Sequence, residues 1–141
     1  MNVDIEEVES QFSCSIENLR SISEILGCLL TTDASKDHHV CSIEAIIDGL
    51  TFVSFGKAKS LQSRATLNKD LFEEYICEHE SIKFCINLAV LLDCLRLFGS
   101  SENTSATMAY SSLDAIFRVS LEESGTKSFK YSLFLVFITY W

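Results

Sequence analysis

Catalysis and metal binding both require side chains that converge, so the carboxylates, histidines and thiols of the chain come first. Asp33, Asp37, Glu44 and Asp48 belong to the residue type that holds metal ions in nuclease sites. They are scattered over predicted loops and hairpins and accompany no motif. His38 and His39 read as loop residues rather than as a general base. His38, His39, Cys41, Cys77 and His79 offer zinc-ligand types, but no CxxC pair anchors them in a common site. The expectation is a chain with no catalytic residue, no metal and no cofactor, and therefore not an enzyme.

Charge on two short amphipathic segments is the other candidate chemistry. Helical spacing puts Arg20, Ser23, Glu24 and Gly27 on one exposed stripe, and Ala89, Asp93 and Arg96 on another. Each stripe is built of small residues with one arginine and one acid. Two readings stand side by side: a solvated face with ion pairs at i, i+3 or i, i+4, or a face kept lean so that something wide can pass alongside.

The elements that position these stripes are visible as an internal repeat. Cys14-Ser15-Ile16-Glu17-Asn18-Leu19 opens into LRSISEILGCLL, and Cys85-Ile86-Asn87-Leu88 opens into LAVLLDCLRLFG. Aligning Asn18 with Asn87 pairs Leu19 with Leu88, Ile22 with Leu91, Glu24 with Asp93, Leu26 with Leu95 and Leu29 with Phe98. The shared apolar positions lie on one helical face. Asn is a favoured N-cap, since its side-chain oxygen accepts from an unpaired amide of the first turn, and Gly99 is placed to close the second helix.

Around each helix the pattern is that of short strands. Gln11 to Glu17 alternates, with Phe12, Cys14 and Ile16 on one face. Further strands are predicted at His39 to Ile47, Leu50 to Phe55 and Leu61 to Leu67, with Asp48-Gly49 as a turn signal. The second unit repeats the plan: Phe72 to Cys77, Ile82 to Ile86, the helix, then Thr107 to Leu113 and Ala115 to Glu122. The expected fold is α+β: a duplicated strand-helix-strands unit with two helices on one face of an antiparallel sheet.

Composition sets bounds on function. A chain of 141 residues that is 48% hydrophobic supports one ordinary domain with its own core. A net charge of −9 opposes general attraction to a polyanion, so any nucleic-acid contact has to be local. Asp4, Glu6, Glu7 and Glu9 mark residues 1–10 as an acidic, flexible head. Cys14, Cys28, Cys41, Cys77, Cys85 and Cys94 are irregularly spaced within apolar-patterned segments, which fits reduced, buried thiols better than a disulfide framework. The apolar run from Tyr131 to Trp141 is too short to cross a bilayer as a helix, so no membrane partner is expected.

The run SIKFCINLAVLLDCLRLFGSS, followed by strands ending in FRVSLEESG, resembles the Rad-one family of subunits of the nine-one-one checkpoint clamp, and FSCSIENLRSISEIL and FEEYICEHES support the same likeness. The likeness covers residues 11–125, which the resemblance makes a clamp-like N-terminal domain, and leaves 126–141 as a divergent apolar tail. The family is similar to proliferating cell nuclear antigen (PCNA), whose subunits hold two tandem domains, each a doubled strand-helix-strand unit. The resemblance implies a nuclear protein of the DNA-damage checkpoint and repair, part of a heterotrimeric ring with Rad-nine and Hus-one. A dedicated clamp loader sets that ring around double-stranded DNA without regard to sequence.

Carried onto this chain, the resemblance makes Arg20 and Arg96 the DNA-facing candidates, with Lys57 and Lys59 as loop candidates. Clamp subunits join edge to edge through strands, so Met108, Tyr110, Phe117 and Val119 are the subunit-interface candidates. The chain departs from the family where lysines are usual: its stripes carry Gly27, Ala89, Glu24 and Asp93, so its own attraction to DNA is expected to be weak. It also ends after one domain, so a truncated member unable to close a ring by itself is expected. The alternative is a protein-interaction module that binds clamp partners without encircling DNA.

Overall fold

The alternating segment that opens the first unit becomes strand β1 (Phe12–Ile16), with Phe12, Cys14 and Ile16 buried and Ser13 and Ser15 only partly so. The computed structural model describes residues 11–30, 40–55, 62–96, 104–123 and 129–136. After β1 come α1 (Leu19–Gly27), β2 (Val40–Ile46), β3 (Gly49–Phe55) and β4 (Gln62–Asn68). A 3-10 turn at Lys69–Leu71 leads into β5 (Glu74–Cys77), β6 (Ile82–Asn87), α2 (Leu88–Leu95), β7 (Thr104–Ser111), β8 (Ile116–Glu123) and β9 (Phe129–Val136). The acidic head, Lys57, Lys59 and Gly99 lie outside the described residues.

The α+β class and the doubled strand-helix-strands order hold, and the pairing adds what the sequence did not show. The strands form two antiparallel sheets, ordered β5-β1-β7-β8-β9 and β4-β3-β2-β6. The two units therefore do not sit side by side, each with its own sheet. β1, which precedes α1, pairs with β7, which follows α2; β6, which precedes α2, pairs with β2, which follows α1. The five-stranded sheet takes β1 from the first unit and four strands from the second, and the four-stranded sheet takes β6 from the second and three from the first, so neither unit closes a sheet alone. β9 falls within the segment read as a divergent tail, yet its backbone pairs with β8 over Phe129–Val136.

Local chemistry explains the turns. Ile46 pairs with Gly49, leaving Ile47 and Asp48 as a two-residue hairpin loop. Gly49 has φ +152° and an added Cβ would stand 2.2 Å from the Leu67 carbonyl oxygen, so only glycine fits. At the β7–β8 hairpin Ala115 takes a positive φ of 54°. Asp114 braces that turn, accepting from the Ile116 amide at 3.2 Å and from the Arg118 guanidinium at 2.7 Å.

One apolar core lies between the sheets and the helices, with Leu26, Phe52, Leu88, Leu91 and Phe117 almost wholly removed from water. Aromatic rings join the two sheets: Phe84 of β6 stacks on Tyr110 of β7 with centroids 4.1 Å apart, and lies 5.2 Å from Phe117 of β8. The Tyr75 hydroxyl of β5 provides a second link, donating between the carbonyl oxygens of Ile46 and Gly49 at 2.6 and 2.7 Å. Desolvation raises the Tyr75 phenol above its ordinary pKa, so it stays a donor.

Candidate nucleic-acid interface

Both helices start where the asparagines place them. The Asn18 side-chain oxygen accepts from the Ser21 amide at 3.3 Å, and Asn87 accepts from the Ala89 and Val90 amides at 3.0 and 3.3 Å. α1 turns Leu19, Ile22 and Leu26 inward, and α2 turns Leu88, Leu91, Leu92 and Leu95 inward. The two helices touch each other, so their remaining faces form one layer.

Within that layer Arg20 is exposed and its guanidinium lies 3.7 Å from the Glu24 carboxylate, one turn on. A pair this open to water contributes little, about 0.3–0.5 kcal/mol. Arg96 caps the end of α2 and does not simply extend outward: its Nη2 donates to the Ser23 carbonyl oxygen of α1 at 3.4 Å. A Cβ on Gly27 would come within 2.7 Å of the same nitrogen. Arg20 and Arg96 thus belong to one layer, but Arg96 lies along the contact between the helices.

Two positions read as exposed are not. Ser23 is 6% and Ala89 4% exposed, because the helix-helix contact and the surrounding packing occupy sides that a lone amphipathic helix would leave in water. Ile25 and Val90 are the apolar residues that the helices leave exposed. The charged groups of the layer are two cations, Arg20 and Arg96, against two carboxylates, Glu24 and Asp93, so the layer has no net charge.

The strand residues chosen as interface candidates are corrected by their burial. Met108, Phe117 and Val119 are each 1% exposed, Tyr110 is stacked on Phe84, and all four belong to the core. Their strands are not edges either: β7 lies between β1 and β8, and β8 between β7 and β9. Alternation identified the apolar face of each strand correctly, but that face points into the molecule. The outermost strands are β5 and β9 in one sheet and β4 and β6 in the other.

Among the described residues no group of three or more His, Cys, Asp or Glu side chains is arranged to hold a metal ion. The thiols divide by location: Cys14, Cys41, Cys85 and Cys94 are buried, Cys77 is half-buried, and Cys28, expected inside, is exposed at the end of α1. Burial pushes the Cys41 thiol up to about 12 and raises Cys14 and Cys94 as well, so these sulfurs remain protonated and unreactive. At the far end of β1 the Glu17 carboxylate raises the pKa of Glu73, with Glu74 adding to the repulsion. The sequence reading did not anticipate the contacts made at Gly27, Phe84 and Tyr75. Only Gly27 carried a signal, as a glycine inside a helical pattern.

Comparison with known proteins follows this geometry closely. The family model described as "Repair protein Rad1/Rec1/Rad17" matches residues 11–132, a range that runs past the expected domain end at 125 into β9. The cell cycle checkpoint protein RAD1 of Mus musculus is 34% identical over 115 residues, covering 79% of this chain and 39% of that protein. The Homo sapiens protein of the same name is 34% identical over 127 residues, covering 86% of this chain and 43% of its own length. The chain thus spans less than half the length of these relatives. Among solved structures, a PCNA2–PCNA3 complex from Sulfolobus tokodaii superposes with a TM-score of 0.68 at 16% identity, over 91% of this chain and 47% of that one. PCNA from Thermococcus kodakaraensis superposes with a TM-score of 0.65 at 14% identity, over 86% and 45%. These superpositions show the clamp fold.

Proposed function

The chain belongs to the Rad1/Rec1/Rad17 family of repair proteins, and from that premise we propose that it acts as a subunit of a DNA-damage checkpoint clamp. The single observation that carries the proposal is the interlocked pair of strand-helix-strands units, which gives one layer of two touching helices over two sheets and superposes on PCNA. In such a ring the helix layer faces the duplex, and the partners are the Rad-nine and Hus-one subunits and a clamp loader. The protein is non-catalytic, and its place of work is the nucleus, where the DNA is.

Its hold on DNA is topological rather than adhesive. A helix layer with no net charge, on a chain of net charge −9, releases few counterions on meeting a phosphate backbone. A ring needs no more, since a closed loop stays on DNA without a strong contact. Arg20, Lys57 and Lys59 are proposed as sequence-independent phosphate neighbours. Partner subunits are proposed to add at outermost strands, with β4 and β9 paired along longer registers than β5 and β6.

The test is retention of the assembled heterotrimer on circular DNA. Clamp action predicts that the loaded complex survives a high-salt wash on a closed circle and is lost when the circle is cut once. A complex that forms with Rad-nine and Hus-one but is never retained on the circle points to the other reading, an interaction module that binds clamp partners without encircling DNA.

A further inference from the structure

We infer that Arg96 is a positioning residue, whose guanidinium clips the end of α2 onto α1 with Gly27 as its seat, and so fixes how the two helices of the layer lie against each other. The donor nitrogen reaches the Ser23 carbonyl at 3.4 Å, and the space it occupies exists because residue 27 has no side chain: a Cβ there would lie 2.7 Å from the same nitrogen. Gly27 is the last residue of α1 and Arg96 the C-cap of α2, so the contact ties the C-terminal turns of the two helices together. A cation at this place also faces the negative end of the α1 dipole.

The clip reassigns one of the DNA-facing candidates. Family resemblance gives Arg96 to the phosphate backbone, whereas the geometry gives it to the neighbouring helix. Only the DNA arm of the test below rests on the clamp reading; the folding arm stands without it.

The experiment is a double-mutant cycle on the full chain: wild type, Arg96→Ala, Gly27→Ala and the double variant, unfolded in urea. Gly27→Ala displaces the guanidinium while leaving the charge. The clip therefore predicts that Arg96→Ala raises the unfolding equilibrium constant several-fold in the Gly27 protein but hardly at all when Gly27→Ala is already present, a coupling of roughly three- to ten-fold. Arg96→Lys, which keeps the charge but lacks the planar fork, is expected to behave like Arg96→Ala, and it carries the cycle should Arg96→Ala not fold. Equal losses in both backgrounds overturn the clip. In the DNA arm, the salt dependence of DNA binding is measured on the heterotrimeric ring before and after Arg96→Ala. An unchanged slope of log K against log salt is expected, and a slope shallower by roughly 0.9 marks a lost phosphate contact and overturns the assignment. A ring that fails to hold DNA while the coupling persists refutes the clamp reading and leaves the clip in place.

Discussion

Glu73 shows how a single side chain records its neighbours. The Glu17 carboxylate raises its pKa above its ordinary value, so the folded chain holds the Glu73 proton more tightly than the unfolded chain does. Stability from this group is present at low pH and falls as pH rises through the ordinary value toward the raised one. Glu73→Gln is expected to raise the melting temperature at neutral pH and to leave it nearly unchanged near pH 4, and a difference that is largest in acid would contradict the assignment. Asp114 works in the opposite sense: its hydrogen bond from Arg118 lowers its pKa, so its contribution is present above the ordinary value and is lost as pH falls through the lowered one. The Glu73 effect could not be read from spacing, because Glu17 and Glu73 meet only through the pairing of β1 with β5, whereas Asp114 and Arg118 are four residues apart in one hairpin. The helix caps could be read, since an N-cap bonds within its own turn.

At the level of elements, the two caps are alike in sequence and unequal in geometry. Asn87 accepts from two amides and Asn18 from one, and the Asn18 contact is 3.3 Å. Asn87→Ala is expected to cost about 1 kcal/mol and Asn18→Ala less, as judged by urea denaturation; the reverse ranking would show that the second amide adds nothing. Strands were legible from their alternation, and β1, β2, β3 and β6 fall within a residue or two of where period-two patterning puts them. Their neighbours were not. Alternation states which face is apolar and is silent on which strand lies alongside, so β7 and β8 read as edges although each is paired on both sides. Arg20 and Arg96 are exposed where helical spacing puts them, but that spacing contains nothing about the helix next to α2, so the bond from Arg96 to Ser23 was not legible.

For the whole molecule, interlocking matters more than any contact within it. Because each sheet draws strands from both units, neither unit completes its sheet without the other. One domain is not a ring, and the relatives are more than twice as long as the matched region. The isolated chain is therefore expected to elute in size-exclusion chromatography well below the size of a closed trimer; a stable, monodisperse trimer would refute this. The sequence by itself determined the repeat, the helix starts, the inward faces and the family, because all of these depend on residues close together in the chain. Tertiary structure alone decided that there are two sheets, that β1 crosses to β7, that Tyr110 and Phe117 are core, and that Arg96 reaches α1. Those outcomes depend on segments tens of residues apart, whose meeting is set by how every apolar face is buried at once.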